Sequence, residues 1–274
     1  ARCGEARLSM PGGCELGPRP IDLHLMALRA LGAAIDERGG ELLCSAPDGL
    51  HGAGIALPTP SVGATENAML CACAAEGETV IMNAAREPEI EELQTFLRTL
   101  GADVSGAGSA TVRVRGKVLE PFRAGHRIMP DRIVSSTLLC ACAAAGGEVE
   151  LHGVEPRHFS TVLHSLSECG CDIISNNTSV RLRSDGNLKA PMPVITGPYP
   201  GFPTDAQPLM LAACLKARGT SVFVENVFQN RFRFTEELQR LGARIHTEGR
   251  VAVVTGVERL RGAPTVATDL RGGA

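Results

Sequence analysis

The stretch Leu100-Gly101-Ala102-Asp103-Val104 joins the end of a helix-periodic run to the start of a β-rich one, and the chain uses that junction four times. The other copies are Leu31-Gly32-Ala33-Ala34-Ile35, Cys169-Gly170-Cys171-Asp172-Ile173 and Leu241-Gly242-Ala243-Arg244-Ile245; the four glycines lie 69, 69 and 72 residues apart. A glycine just past the last turn of a helix supplies the positive φ that closes it. The pattern predicts helices over 23–31, 90–100, 158–169 and 235–241, each followed by a strand.

A second signature alternates with the first. A proline and a polar residue open an apolar helix that ends near glycine, and a strand follows. The copies begin Pro60-Ser61-Val62-Gly63-Ala64-Thr65, Pro130-Asp131-Arg132-Ile133-Val134-Ser135 and Pro203-Thr204-Asp205-Ala206-Gln207, with prolines 70 and 73 residues apart. They end Gly77-Glu78-Thr79-Val80, Gly147-Glu148-Val149-Glu150 and Gly219-Thr220-Ser221-Val222. Thr111-Val112-Arg113-Val114 and Val251-Ala252-Val253-Val254 read as further strands. One unit is thus about 70 residues of βαβαββ type, an α+β (α/β) pattern too long for a solenoid repeat. Three such units are enough to close a domain. The chain holds between three and four, so it is expected to contain parts of two domains, 1–128 and 129–274, joined near 128–130.

Composition removes several functions. At 274 residues and 44% apolar content, the chain can build real cores without a membrane, and it has no run of 18 or more apolar residues. Ala1-Arg2-Cys3-Gly4-Glu5 is not the start of a secretory leader, and the missing initiator Met suggests a chain that begins inside a larger one. With a net charge of −3, no Trp, one Tyr and eight Phe, neither a basic groove nor a base-stacking platform is expected. Ten cysteines include the pairs Cys71/Cys73 and Cys140/Cys142 in Ala-rich runs. Residues two apart on a helix face different ways, and zinc spacing would need further ligands nearby. The cysteines are therefore expected to be free, small core residues in a reducing cytosol, with no metal site.

Several stretches are able to carry chemistry. Met10-Pro11-Gly12-Gly13-Cys14 puts a thiol at the tip of a Gly/Pro-rich loop; it reads either as a mobile acid or nucleophile or as an idle loop cysteine. In Arg19-Pro20-Ile21-Asp22-Leu23-His24, an arginine suited to phosphate precedes a helix start, with Asp22 as a candidate cap. Ser61-Val62-Gly63 offers hydroxyl and amides to a phosphate, or simply a Ser cap. Asp205 sits in the first turn of a helix, where the dipole alone would explain a carboxylate. Arg231 and Arg271 each follow a strand and are placed to meet an anion.

Taken together, Gly12-Gly13-Cys14, Arg19 to His24, Pro60 to Asn67, Asn83 to Glu89, Pro130-Asp131-Arg132, Phe202-Pro203-Thr204-Asp205, Glu225-Asn226-Val227-Phe228, Asn230-Arg231-Phe232 and Thr268-Asp269-Leu270-Arg271 resemble the UDP-N-acetylglucosamine 1-carboxyvinyltransferase family, essentially end to end. The resemblance implies the two-domain enolpyruvyl transferase fold, an inside-out α/β barrel of βαβαββ units with a substrate cleft between domains. It implies a cytoplasmic transferase of peptidoglycan and cell-wall synthesis, needing no cofactor. The enzyme would move the enolpyruvyl group of phosphoenolpyruvate to the 3-hydroxyl of UDP-N-acetylglucosamine and release phosphate.

The resemblance also implies roles for single residues. Cys14 matches the loop thiol that protonates the enol carbon and is alkylated by fosfomycin. Asp205 matches the base facing the sugar hydroxyl. Arg19, Pro20, Ile21, Asp22, Leu23, Ser61, Val62, Gly63, Thr204, Asp205 and Val227 match the sugar-nucleotide site. Cys14, Arg19 and Arg271 match phosphoenolpyruvate contacts. The chain departs from the family in having neither the leading unit with its Lys-Asn pair nor the closing unit with a further arginine, and in carrying Thr59 where a basic residue is common. Both domains are therefore expected to be incomplete, at the N-terminal and C-terminal sides respectively, with weak or no turnover by the chain alone. Rival readings are a shikimate 3-phosphate enolpyruvyl transferase, a non-catalytic sugar-nucleotide-binding paralogue, and a cysteine-dependent hydrolase.

Overall fold

The computed structural model describes residues 3–9, 20–116 and 125–267. They form two compact units, one of residues 3–9, 20–116 and 125–129, the other of residues 130–267.

The first unit runs β1 (Glu5–Ser9), α1 (Asp22–Ala30), β2 (Ala34–Arg38), β3 (Glu41–Ser45), β4 (Gly54–Ala56), α2 (Val62–Ala72), β5 (Gly77–Met82), α3 (Pro88–Thr99), β6 (Asp103–Ser105) and β7 (Thr111–Gly116). Strands β4 to β7 make one sheet in the order β4-β5-β7-β6, with β4 parallel to β5 and the remaining pairs antiparallel. A parallel pair needs a crossover, and α2 provides it. This is one complete βαβαββ unit. Strands β1-β3-β2 form an antiparallel sheet that repeats the β5-β7-β6 part of it.

The second unit repeats the scheme. It runs α4 (Arg132–Ala145), β8 (Gly147–His152), α5 (Ser160–Glu168), β9 (Asp172–Ser175), β10 (Ser179–Ser184), β11 (Val194–Ile195), α6 (Gln207–Ala213), β12 (Thr220–Val224), α7 (Thr235–Arg240), β13 (Arg244–Glu248) and β14 (Val251–Thr255). The order β11-β12-β14-β13, with β11 parallel to β12, reproduces the β4-β5-β7-β6 sheet strand for strand. The order β8-β10-β9 reproduces β1-β3-β2.

The local reasons are those read from the sequence. Gly32, Gly101, Gly170 and Gly242, the four junction glycines, have φ of 97°, 81°, 101° and 91°, where a Cβ would be strained. Strands alternate inward and outward: Val112 and Val114 on β7, Val180 and Leu182 on β10, and Ala252 and Val254 on β14 are buried. Each unit closes around its own apolar cluster. The first is centred on Met69, Ile81, Ile90 and Val112. The second is centred on Leu139, Phe159, Met210 and Phe223. The second-signature helices α2, α4 and α6 are well buried: α2 and α4 are rich in Ala, Cys, Ser and other small residues that let neighbours approach closely, whereas α6 buries the larger Leu209, Met210 and Leu211.

Candidate functional site

Cys14, Arg19 and Arg271 lie outside the described residues. The other predicted site residues fall into two groups, one in each unit.

In the first unit, the starts of α1 and α2 are neighbours. Asn67 Nδ2 on α2 donates to His24 Nδ1 on α1 at 2.7 Å. A Cβ on Gly63 would stand 2.9 Å from His24 Cε1, so glycine is what lets the ring close on the α2 start. The stretch 20–24 and the stretch Ser61-Val62-Gly63, about 40 residues apart in the sequence, are thus brought side by side. Leu23 and Val62 are half-buried against the same core. Burial holds the His24 imidazole below its ordinary range, with the Asp22 carboxylate opposing. Ser61 caps α2: its Oγ accepts from Ala64 N at 3.3 Å. Asp22 does not cap α1. Ile21 holds that position, and Asp22 is an exposed acid in the first turn, a correction to the cap expected for it. Acid there is still favoured by the helix dipole. The amides of the first α2 turn and the dipole make this corner chemically suited to a phosphate.

In the second unit, the site sits at the carboxyl ends of the parallel strands β11 and β12. Thr196, just past β11, accepts at Oγ1 from Asn226 N (2.9 Å) and at its carbonyl from Asn226 Nδ2 (3.1 Å), which ties the two strand ends together. Glu225 follows β12 and is fully buried. Its Oε2 accepts from the Thr204 hydroxyl at 2.9 Å. Its Oε1 accepts from Val227 N at 2.7 Å and Phe228 N at 2.9 Å. Thr204 and Asp205 lie in a short 3-10 turn ahead of α6, with Pro203 before it. Asp205 is not simply a carboxylate in a helix's first turn, as expected. Its Oδ1 accepts from Arg231 Nη2 at 3.2 Å, and while the Asp205 side chain is 40% exposed, that of Arg231 is 2% exposed. The Phe228 ring stacks near the guanidinium, 5.8 Å from its centroid. The anion that Arg231 was expected to meet is therefore the protein's own Asp205.

Glu225 and Arg231 carry this geometry; from the sequence Arg231 reads only as an arginine placed to meet an anion, and Glu225 has no role of its own. The available signal was a charged pair flanking Asn226 to Asn230 directly after a β-branched strand. Val227 is exposed at the edge of the same loop.

Five of the nine described cysteines are core residues, whereas Cys44, Cys71 and Cys142 are half-buried and Cys3 is exposed. Cys73, Cys140, Cys169, Cys171 and Cys214 are buried, and all described cysteines are free. Burial pushes Cys140 up to about 12 and Cys73 and Cys171 up to about 11. Cys169 is raised too, through its contact with Cys214 and then through burial. Such thiols are poor nucleophiles at neutral pH. Among the described residues, no group of three or more His, Cys, Asp or Glu stands close enough to hold a metal ion. Nor is any described helix long and apolar enough to cross a membrane. A cavity of about 650 Å³ along the β1-β3-β2 sheet, lined by Ala6, Ile35, Leu43 and Cys44, includes none of the predicted site residues. Polar groups converge elsewhere, so the cavity's size does not make it the site.

Residues 1–274 match the protein family described as EPSP synthase (3-phosphoshikimate 1-carboxyvinyltransferase). The chain is 48% identical over 271 residues to the UDP-N-acetylglucosamine 1-carboxyvinyltransferase of Xanthobacter autotrophicus, covering 99% of this chain and 63% of that protein. It is 52% identical over 273 residues to UDP-N-acetylglucosamine 1-carboxyvinyltransferase 1 of Symbiobacterium thermophilum, covering 100% and 62%. The chain thus spans a little under two thirds of the length of these curated relatives. Among solved structures, the enolpyruvyl transferase NikO of Streptomyces tendae superimposes with a TM-score of 0.77 at 25% identity, over 93% of this chain and 61% of that one. An EPSP synthase from Acinetobacter baumannii gives 0.62 at 20% identity, over 92% and 60%, and shares the fold. With the family match running the whole length of the sequence, the resemblance drawn from the repeats and loops holds, and the chain belongs to the EPSP synthase (3-phosphoshikimate 1-carboxyvinyltransferase) family.

Proposed function

We propose that the protein transfers the enolpyruvyl group of phosphoenolpyruvate to the 3-hydroxyl of UDP-N-acetylglucosamine, releasing phosphate, as the first committed step of peptidoglycan synthesis in the cytoplasm. The observation that carries this reading is Asp205. It is a partly exposed carboxylate held by a buried arginine beside Thr204, at the strand ends where α/β sheets bind ligands. The names of the relatives at about half identity point to the sugar nucleotide over shikimate 3-phosphate as acceptor.

In this reading, Asp205 takes the proton of the sugar 3-hydroxyl as its oxygen bonds to C2 of phosphoenolpyruvate. Cys14 gives a proton to C3. Loss of a proton from C3 then expels phosphate and restores the double bond. A carboxylate and a thiol suit these roles at neutral pH when their surroundings favour the working protonation states. Pro20, Ile21, Asp22 and Leu23, with Ser61, Val62 and Gly63, would hold the nucleotide and diphosphate; Thr204 and Val227 would line the sugar. Arg19 and Arg271 would hold phosphoenolpyruvate. Residues 1–128 then act as the domain of the reactive loop and 129–274 as the domain of the base.

Saturation-transfer NMR with UDP-N-acetylglucosamine, against shikimate 3-phosphate as control, tests the acceptor. Selective transfer to the uridine and sugar protons is expected. Transfer to shikimate 3-phosphate instead would replace the reading with the shikimate-pathway reaction. Fosfomycin labelling, followed by peptide mass mapping, is expected to mark Cys14, and Cys14→Ser should abolish the adduct while keeping nucleotide binding. An adduct that survives in Cys14→Ser would remove the thiol from the mechanism.

A further inference from the structure

We infer that Arg231 and Glu225 are positioning residues for Asp205, holding its carboxylate in the one orientation from which it can take a proton. The inference rests on the reading of Asp205 as the base. Two rungs join the segment before α6 to the segment after β12. In one, the Thr204 hydroxyl donates to Glu225 Oε2; in the other, Arg231 Nη2 donates to Asp205 Oδ1. Because Thr204 and Asp205 are consecutive, the two rungs together fix both the backbone and the side chain of Asp205.

The details favour orientation over simple charge neutralisation. Arg231 is almost wholly buried yet offers one guanidinium nitrogen to a carboxylate that is itself 40% exposed. The Arg231 Nε is buried with no hydrogen-bond partner among the described residues, so the guanidinium is held by packing and not by a full set of polar contacts. Part of that packing is the Phe228 ring. Phe228 is in turn fixed through its N–H by Glu225 Oε1, the same carboxylate that holds Thr204. Glu225 therefore sets both ends of the arrangement, the turn bearing Asp205 and the loop that covers Arg231. An aspartate side chain has several staggered rotamers, and the Arg231 contact favours one of them. A displacement of the order of 1 Å in a proton acceptor costs about 100-fold in rate.

The test is a double-mutant cycle on turnover, measured as phosphate release by the gene's complete translation product. Arg231→Gln is expected to lower kcat about 10- to 100-fold while KM for UDP-N-acetylglucosamine stays within about 3-fold. Arg231→Lys, which keeps a cation without the planar fork, should recover part of the loss. In the Asp205→Asn background, Arg231→Gln should cost less than about 3-fold further, because the group it acts through is already disabled. Independent, multiplicative losses would overturn the inference and leave Asp205 as the base. A raised KM with kcat preserved would mean that Arg231 grips substrate itself, and would also overturn it. Parental turnover in Asp205→Asn would remove the base reading and this inference with it. Should circular dichroism show Arg231→Gln unfolded, Arg231→Lys and Glu225→Gln carry the same cycle, with the same non-additivity expected.

Discussion

The starts of α4 and α6 occupy the same place in the repeat and use it differently. Both follow a proline and a polar residue: Pro130-Asp131 before α4, Pro203-Thr204 before α6. Asp131 does what the repeat predicts. Its Oδ1 accepts from Ile133 N at 2.7 Å and Val134 N at 3.0 Å, capping a helix of 14 residues. Ser61, in the first unit, caps α2 in the same way. Thr204 stands at the equivalent position, but its hydroxyl donates to Glu225. The helix start becomes a 3-10 turn with no side-chain cap, and α6 is only 7 residues long. The next residue, Asp205, turns to Arg231. Two of three copies spend the position on helix stability, and the third gives that up to hold a carboxylate. Sites where one copy of a repeat breaks the local rule of the others are where function is to be sought.

The largest expected effect sets Asp205 against Asp131. Asp205→Asn should reduce turnover by about 10²- to 10⁴-fold, the usual worth of a general base, while leaving the fold intact. Asp131→Asn should leave turnover near the parental value. Equal losses from the two would dissolve the contrast between site and cap.

Next is Thr204→Val, which removes the donor to a fully buried Glu225 oxygen and keeps the shape. An unsatisfied buried acceptor costs about 1–3 kcal/mol, more when charged, so urea denaturation should show a loss in that range. No loss would mean that Glu225 does not depend on Thr204, and the two rungs would reduce to one. Asp131→Ala should cost about 1 to 2 kcal/mol, since two backbone amides lose their acceptor. Ser61→Ala, losing one longer bond, should cost about 0.5 kcal/mol. The reverse order in urea midpoints would show that the caps are not set by hydrogen-bond geometry.

The smallest effect concerns Glu66, on α2 one turn beyond the Ser61 cap. Burial, then Glu89 and Glu87, raise its carboxyl above the ordinary 4.5. A carboxyl raised in the folded state binds its proton more tightly there than in the unfolded chain. Its ionisation therefore costs stability as pH rises from the ordinary value through the folded one, and costs nothing below. Glu66→Gln should gain on the parent as pH increases above about 4.5 and match it at lower pH. A constant difference across that range would mean that the side chain's effect is packing and not charge.

Much of the fold was legible because it is repeated. Each junction glycine must sit at positive φ, and the spacing of four of them marks the period without any knowledge of contacts. Alternating Val112/Val114 and the Ala-rich α2 and α4 runs then separate strand from helix and inner face from outer. The caps were partly legible. Ser61 and Asp131 act locally and can be read from their neighbours, whereas Asp22 reads as a candidate cap and Ile21 holds that position.

What the sequence determined by itself is whatever depends on near neighbours along the chain: helix starts and ends, strand alternation, the 70-residue unit, and the family to which its loops belong. Only the tertiary structure decided the partners of charged side chains. Arg231 meets Asp205 across 26 positions and Thr204 meets Glu225 across 21. The reason is physical. A helix cap is fixed by the geometry of three or four consecutive residues, while an ion pair between two segments exists only once β11 and β12 lie parallel and bring their ends together.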